Sequence, residues 1–380
     1  MPISPALFTR AEFLRRSGTA LGGLMLTRQL LAESSANSTS PTASPTSATD
    51  PSAPAYDLRD FERWIVEEFA PSVRLPGGAG LYARTPSDQE PELYGVADMA
   101  CILYTLGILR PTEAERAEWR AAFQLFQNPD TGLLVEKSPS HDALHNTAFA
   151  LAAMQLLNLN PEHPVKMEAR FSDIRGFLNS LDWRTKVYPE SHKGAGVGSI
   201  FALVPAFGTP PWFGEFFSTC DAKFDPRNGL MGEGKPPGGD FDQIGGTFHY
   251  QFLYEHFNRH LPFPERRIDS VIGLQQPDGY WHPSNHLWLT LDALFLMTRT
   301  LRYCPYRFAD VQNVVRRTMD VLMNDVYSPA GRSKTFVGKL AVHSVTAAIS
   351  IAAEAQRFLG AQHVITTQPL KLVLDRRPFI

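Results

Sequence analysis

Histidines and aspartates recur close to the starts of apolar segments along this 380-residue chain. These side chains, together with tyrosine, are the usual carriers of protons in enzymes. They can act together only if the fold brings distant segments to one place. The candidates for catalysis are Asp98, Asp142, His145, Asp242 and His249, and those for substrate binding are Tyr94, His141, Trp281, His282, His286, Lys334 and His343.

These residue types fit two reactions on sugars. Two carboxylates about 5 to 9.5 Å apart can hydrolyse a glycosidic bond, and Asp98 with Asp142 or Asp242 is the pair to consider. Histidine with tyrosine can instead abstract the proton beside a uronate carboxyl group, with Lys334 neutralising the charge. Trp281 fits a sugar-stacking platform or a core position. Hydrolysis and elimination both stay open.

Simpler structural roles compete with each of these readings. Asp142 and Asp242 suit helix caps, because a carboxylate there accepts backbone N–H bonds. Asp98 falls one turn inside an apolar segment, where it cannot cap and would be costly to bury alone. His282 and His286 have the spacing of a metal-binding pair, but Pro283 interrupts that turn. We therefore predict no metal and no other cofactor.

A repeat of about fifty residues organises the body of the chain. Glycine-centred segments begin at Gly80, Gly132, Gly229, Gly279 and Gly331, with steps of 52, 97, 50 and 52 residues, so the long step holds a degenerate sixth unit near 181–183. Apolar helices are predicted at 93–109, 143–159, about 195–207, 244–260, 287–303 and 339–359. Amphipathic helices are predicted before them at 57–70, 112–126, 165–181, 263–275 and 306–324. Six alternating pairs predict an all-α protein, an (α/α)6 toroid rather than an open solenoid.

One repeat carries a recognisable motif, Gln275-Gln-Pro-Asp-Gly-Tyr-Trp281. It resembles the Gln-x-x-x-Gly-x-Trp repeat of terpenoid cyclases and prenyltransferase-type α/α toroids, and 126–134 is a weaker copy. The resemblance implies a ring of helices, as in the six-hairpin glycosidases and polysaccharide lyases, with the site at the mouth of the ring. The Asp-rich runs of the cyclases and the Asp, Cys and His zinc ligands of the protein prenyltransferases are missing from the expected repeats.

The N-terminal segment differs in composition from this body. Residues 9–16, TRAEFLRR, precede a weakly apolar run at 17–26 and resemble a twin-arginine export signal, with Ala11 in the place of the second arginine. Residues 33–55 are rich in Ser, Thr, Pro and Ala, a composition typical of disorder. The sequence thus predicts an export signal (1–32), a disordered linker (33–55), a toroid (56–380) and a periplasmic or extracellular protein.

Composition narrows the classes of molecule that the protein could bind. A net charge of −3 gives no basic surface for nucleic acid, and no run of eighteen apolar residues predicts a membrane span. The sequence favours an exported carbohydrate-active enzyme, a glycoside hydrolase or a polysaccharide lyase, with an oligo- or polysaccharide as substrate. The alternatives are a non-catalytic toroid that binds a protein or glycan, and a terpenoid cyclase- or prenyltransferase-like enzyme. The oligomeric state is left open.

Overall fold

A computed structural model of the chain describes residues 55–380, except 138–140, 235–238, 285–286 and 337–339. The predicted export signal and all but the last residue of the predicted linker lie outside the described residues. The described chain is mostly helical, as predicted, with one short parallel pair of strands, β1 (Tyr56–Asp57) and β2 (Val364–Ile365). No helix among the described residues is long and apolar enough to cross a membrane.

The helices alternate between amphipathic and apolar segments. Two π-helical turns, Ile65–Phe69 and Met323–Tyr327, each follow directly on an α-helix. In chain order the α-helices are α1 (Arg59–Trp64), α2 (Ala70–Val73), α3 (Leu93–Thr105), α4 (Glu113–Gln124), α5 (Ala143–Leu156), α6 (Ile174–Asn179), α7 (Val187–Leu203), α8 (Pro210–Asp221), α9 (Asp240–His256), α10 (Pro264–Gly273), α11 (Leu287–Thr300), α12 (Phe308–Leu322), α13 (Pro329–Thr335) and α14 (Val342–Leu359).

The apolar helices pack on one another in chain order. Helix α3 contacts α5, α5 contacts α7, α7 contacts α9, α9 contacts α11, and α11 contacts α14. Helix α14 also contacts α3. In α12, by contrast, Val311, Val315 and Met319 are buried on one face while Asp310 and Asp320 are exposed on the other. The amphipathic helices therefore cover the apolar ones, since each has only one face to bury.

The glycine segments form turns of the same geometry in several repeats. Gly132, Gly229 and Gly279 have positive φ angles of 72°, 70° and 91°, a conformation that glycine adopts without steric cost. The amide groups of Gln127 and Gln275 donate to the carbonyls of Gly132 and Gly279, each at 2.9 Å. The glutamine of the motif therefore closes the turn that the glycine permits.

Two details differ from the sequence prediction. Gly331 lies inside α13 rather than in a turn, because the Ser328 side chain caps a helix that starts at Pro329. The third apolar helix starts at Val187, eight residues before the predicted 195, because its first two turns carry polar side chains. This earlier start places Tyr188 and His192 on an inner helix.

Candidate functional site

Three buried histidines from three neighbouring helices form the centre of the site. His145 lies on α5, His192 on α7 and His249 on α9, and one ring nitrogen of each lies within 4.8 Å of the others. Burial lowers the pKa of His192 to about 3 and holds the pKa of His145 and His249 well below the usual value. All three rings are therefore neutral near pH 7.

A serine sets the tautomer of His249. The Ser191 hydroxyl donates to the Tyr188 carbonyl at 2.5 Å, and its oxygen lies 2.8 Å from His249 Nδ1. Because a hydroxyl carries one hydrogen, Ser191 accepts from His249 Nδ1–H. The Nε2 atom of His249 then carries the lone pair.

A longer chain of hydrogen bonds sets the tautomer of His145. Glu136, paired with Arg84 at 3.1 Å, accepts from the Asn146 amide nitrogen at 3.2 Å. That bond turns the Asn146 oxygen toward Tyr94, whose hydroxyl donates to it at 3.3 Å. The Tyr94 oxygen lies 3.0 Å from His145 Nδ1 and is left to accept Nδ1–H. His145 thus also presents an Nε2 lone pair.

A second feature is a histidine and aspartate pair. Asp98, completely buried on α3, lies with its Oδ2 3.0 Å from Nδ1 of His343, the second residue of α14. The side chain of His343 keeps 21% of its surface exposed and stacks on Trp288 with a ring-centroid distance of 4.2 Å. A carboxylate oxygen accepts hydrogen bonds, so Nδ1 donates to Asp98 and Nε2 carries the lone pair of the ring.

Tyr94 and His141 join the pair to the three histidines. Tyr94 packs edge-on against His343 at 4.8 Å and stacks on His141 at 5.0 Å, while His141 stacks on His145 at 4.7 Å. The side chain of His141 is 15% exposed. Histidine and tyrosine rings therefore run without a break from the partly exposed His343 to the buried His192.

Comparisons with protein-family models, curated proteins and solved structures found no match for this chain. The site is therefore interpreted from its own geometry. Of the twelve residues that the sequence analysis selected, Tyr94, Asp98, His141, His145, His249 and His343 share one network of ring contacts and hydrogen bonds.

Asp142, Asp242 and Trp281 have other surroundings. Asp142 caps α5 by accepting from the Leu144 N–H at 2.9 Å, the simpler role that the sequence analysis allowed. Trp281 is buried and donates from its indole nitrogen to the Val271 carbonyl at 2.7 Å, as a core residue does. Asp242 is half-buried near the start of α9, and this burial raises the pKa of its carboxyl group.

The remaining selected residues come shortly after Gly279 and Gly331, in the last two repeats. His282 packs edge-on against Phe241 at 4.9 Å, and its Nδ1 accepts from the Ser284 N–H. Lys334 is exposed on α13. His286 lies outside the described residues.

Several residues of the site are not among the twelve that were selected from the sequence. His192 stands 47 residues after His145 and 57 before His249, close to the repeat length, so the period itself was a usable signal. The other residues are hydrogen-bond or ion-pair partners in the network around these rings, and their spacing in the sequence does not follow the repeat. They are Arg84, Glu136, Asn146 and Ser191.

A separate cavity of about 540 Å³ contains no histidine. It is lined by Asp60, Arg63, Trp64, Glu68, Pro329, Arg332, Ser333, Phe336 and Leu340. Asp60 forms ion pairs with both Arg63 and Arg332, and with Glu68 the lining carries two negative and two positive charges.

Proposed function

We propose that this protein is an exported carbohydrate-active enzyme built as an (α/α)6 toroid, behind a signal of the twin-arginine type. The order of helix contacts supports the toroid, since the last apolar helix, α14, packs against the first, α3. Amphipathic helices lie in sequence between the apolar ones, as in the α/α toroids that the glutamine motif resembles. The mouth of the toroid carries the ring network and is the active site.

The observation that carries this proposal is the Asp98 and His343 pair. A buried carboxylate that holds Nδ1–H fixes the ring orientation and leaves Nε2 as a general base. The exposed part of His343 gives a substrate access to this base, while Asp98 stays behind it. His343 is thus the catalytic base, and Asp98 is a positioning residue.

The surroundings favour elimination over hydrolysis. Hydrolysis needs two carboxylates flanking the scissile bond. Asp98 is bound to His343 and Asp142 caps α5, so of the three selected carboxylates Asp242 alone is left to act, and one carboxylate does not make the pair. Elimination needs a base and a positive charge beside the uronate carboxylate. Arg84 supplies this charge in place of Lys334, for which the role was first predicted. The Arg84 guanidinium lies 5.4 Å from the Tyr94 ring centre.

The reaction then proceeds as a β-elimination. Nε2 of His343 takes the proton from the carbon beside the uronate carboxyl group. The electron pair forms a carbon–carbon double bond, and the bond from the neighbouring carbon to the glycosidic oxygen breaks. The glycosidic oxygen takes its proton from water, because the buried Tyr94 hydroxyl already donates to Asn146.

The test is to incubate the purified protein with uronate-containing and neutral glycans. Both the ultraviolet absorbance of an unsaturated product and the release of reducing ends are followed. We expect both signals on a uronate polymer, and a loss of about 10²- to 10⁴-fold in His343→Gln, the range for a lost general base. His260→Gln is the control, because His260 is exposed and stacks on Tyr303.

Two results would contradict parts of the proposal. Reducing ends without the unsaturated product would replace elimination by hydrolysis. Cleavage of no glycan in the panel would remove the enzymatic function and favour a non-catalytic toroid that binds a glycan or a protein.

A further inference from the structure

We infer that His145, His192 and His249 bind one divalent transition-metal ion through three imidazole nitrogens, with Zn²⁺ as the best fit. This inference goes beyond the proposed function, because metal binding is measured without any glycan. It differs from the expectation from sequence that the protein has no metal. His282, one of the pair considered there, does not belong to this group, and His286 lies outside the described residues.

The backbone holds the three ligands in register. They come from three helices in which α5 contacts α7 and α7 contacts α9. The ring centroids lie 4.6, 5.1 and 5.3 Å apart. Three nitrogens on one tetrahedral Zn²⁺ lie roughly 3.3 Å from each other, given Zn–N distances of about 2.0–2.1 Å. Donor atoms already within 4.8 Å need to approach one another by no more than about 1.5 Å to reach that geometry.

The hydrogen bonds around the rings prepare them for a metal. Metal-binding histidines usually donate their second ring N–H to a neighbouring acceptor, which fixes the tautomer and turns the lone pair inward. Ser191 does this for His249, and Tyr94, held by Asn146, does it for His145. Two of the three Nε2 lone pairs are thereby set before any metal arrives.

His192 supplies an independent sign of a missing ligand. Its Nε2 is buried and has no hydrogen-bond partner among the described residues. An unsatisfied buried nitrogen is costly, and a metal bond would satisfy it. A purely structural histidine cluster would be expected to link its rings by hydrogen bonds, but within the described chain no such bond joins these three.

The ligand set also indicates the type of site. Three neutral imidazoles leave the ion its full double charge and an open fourth position, as in catalytic rather than structural zinc sites. If the proposed elimination holds, on which this one role depends, the ion binds the uronate carboxylate. Arg84 is only a partial counter-charge, since it is paired with Glu136.

The test uses the full-length protein, stripped of metal with a chelator and dialysed. Zn²⁺ is then added and the bound metal counted, and Co²⁺ is added to a second sample for its visible spectrum. We expect one Zn²⁺ per chain and the intense absorption of four-coordinate Co²⁺. His192→Ala should abolish both signals, whereas His260→Ala, the exposed control, should retain them.

Ser191→Ala provides a milder variant in case His192→Ala does not fold, as judged by circular dichroism. Loss of the Ser191 oxygen should weaken Zn²⁺ binding about 10- to 100-fold. A folded wild-type protein that retains no Zn²⁺ and gives no Co²⁺ spectrum overturns the inference, as does undiminished binding in both variants. Neither result depends on glycan cleavage, so failure of the metal site is distinguished from failure of the proposed reaction.

Discussion

Two buried polar clusters in this protein are satisfied to very different degrees. Around Arg299, the guanidinium donates to Glu354 at 2.9 and 2.7 Å and also pairs with Asp375, and Thr298 donates to Glu354 at 2.6 Å. Around His192, the rings pack against one another without hydrogen bonds between them, and one nitrogen has no partner in the described chain.

The difference separates a structural cluster from a functional one. Buried polar groups are nearly always hydrogen-bonded in native proteins, so an exception asks for an explanation. The Arg299 cluster is complete and links α11 with α14 and with the C-terminal segment around Asp375. The histidine cluster is incomplete and neutral, and a bound cation would complete it.

The largest expected effect on stability comes from removing Arg299 from the fully hydrogen-bonded cluster. Arg299→Ala leaves Glu354 buried without its partner and should lower the free energy of unfolding by about 3–5 kcal/mol. Urea unfolding measures the change. Arg302→Ala is the control, since Arg302 is 40% exposed and its pairs should contribute no more than about 1 kcal/mol. Equal effects of the two substitutions would show that burial does not set the strength of this cluster.

The next largest effect on stability comes from binding Zn²⁺ to the histidine cluster. Zn²⁺ at about 100 times its Kd should raise the free energy of unfolding by about 2.7 kcal/mol, because it binds only the folded state. His192→Leu removes the unsatisfied nitrogen, so this variant should be stable without metal but should gain nothing from Zn²⁺. The melting temperature with and without Zn²⁺ checks both. Equal stabilisation of wild type and variant would place the ion elsewhere.

The repeat made much of the fold predictable from sequence. Glycines at fixed steps marked the turns at Gly132, Gly229 and Gly279, though not at Gly331. Uninterrupted apolar stretches marked the buried helices, because such patterns depend on local chemistry alone. The third unit was placed too late because polar side chains open α7. Two of those side chains, Ser191 and His192, belong to the site, so the irregular part of the repeat was the informative one.

The site was only partly predictable. Positions close to the starts of apolar helices indicated Tyr94, His145 and His343, and the structure brings them together. Sequence separated Asp142, which suits a helix cap, from Asp98, which does not, but it could not reveal that Asp98 binds a histidine 245 residues away. The partners that fix histidine tautomers are tertiary neighbours, which no spacing reveals.

A smaller effect tests the turn shared by the repeats. Gln127 donates to the Gly132 and His163 carbonyls and accepts from the His163 N–H, all in a buried turn. Gln127→Ala should lower the free energy of unfolding by about 1–3 kcal/mol, because backbone groups lose their partners. Thermal unfolding measures it, with the exposed Gln124→Ala as a control expected to change stability by less than about 0.5 kcal/mol. A neutral Gln127→Ala would mean that water replaces the glutamine.

The smallest effect distinguishes the two aspartates. Asp142→Ala removes the cap of α5 and should lower the free energy of unfolding by about 1 kcal/mol, whereas Asp142→Ser, which keeps a capping oxygen, should restore most of it. Cleavage of the responsive glycan should persist in both variants, because a cap does not touch the substrate, while Asp98→Asn should reduce it strongly. If Asp142→Ser retained stability but lost cleavage, the Asp142 carboxylate would be catalytic, and a two-carboxylate hydrolysis would again become the better description of the site.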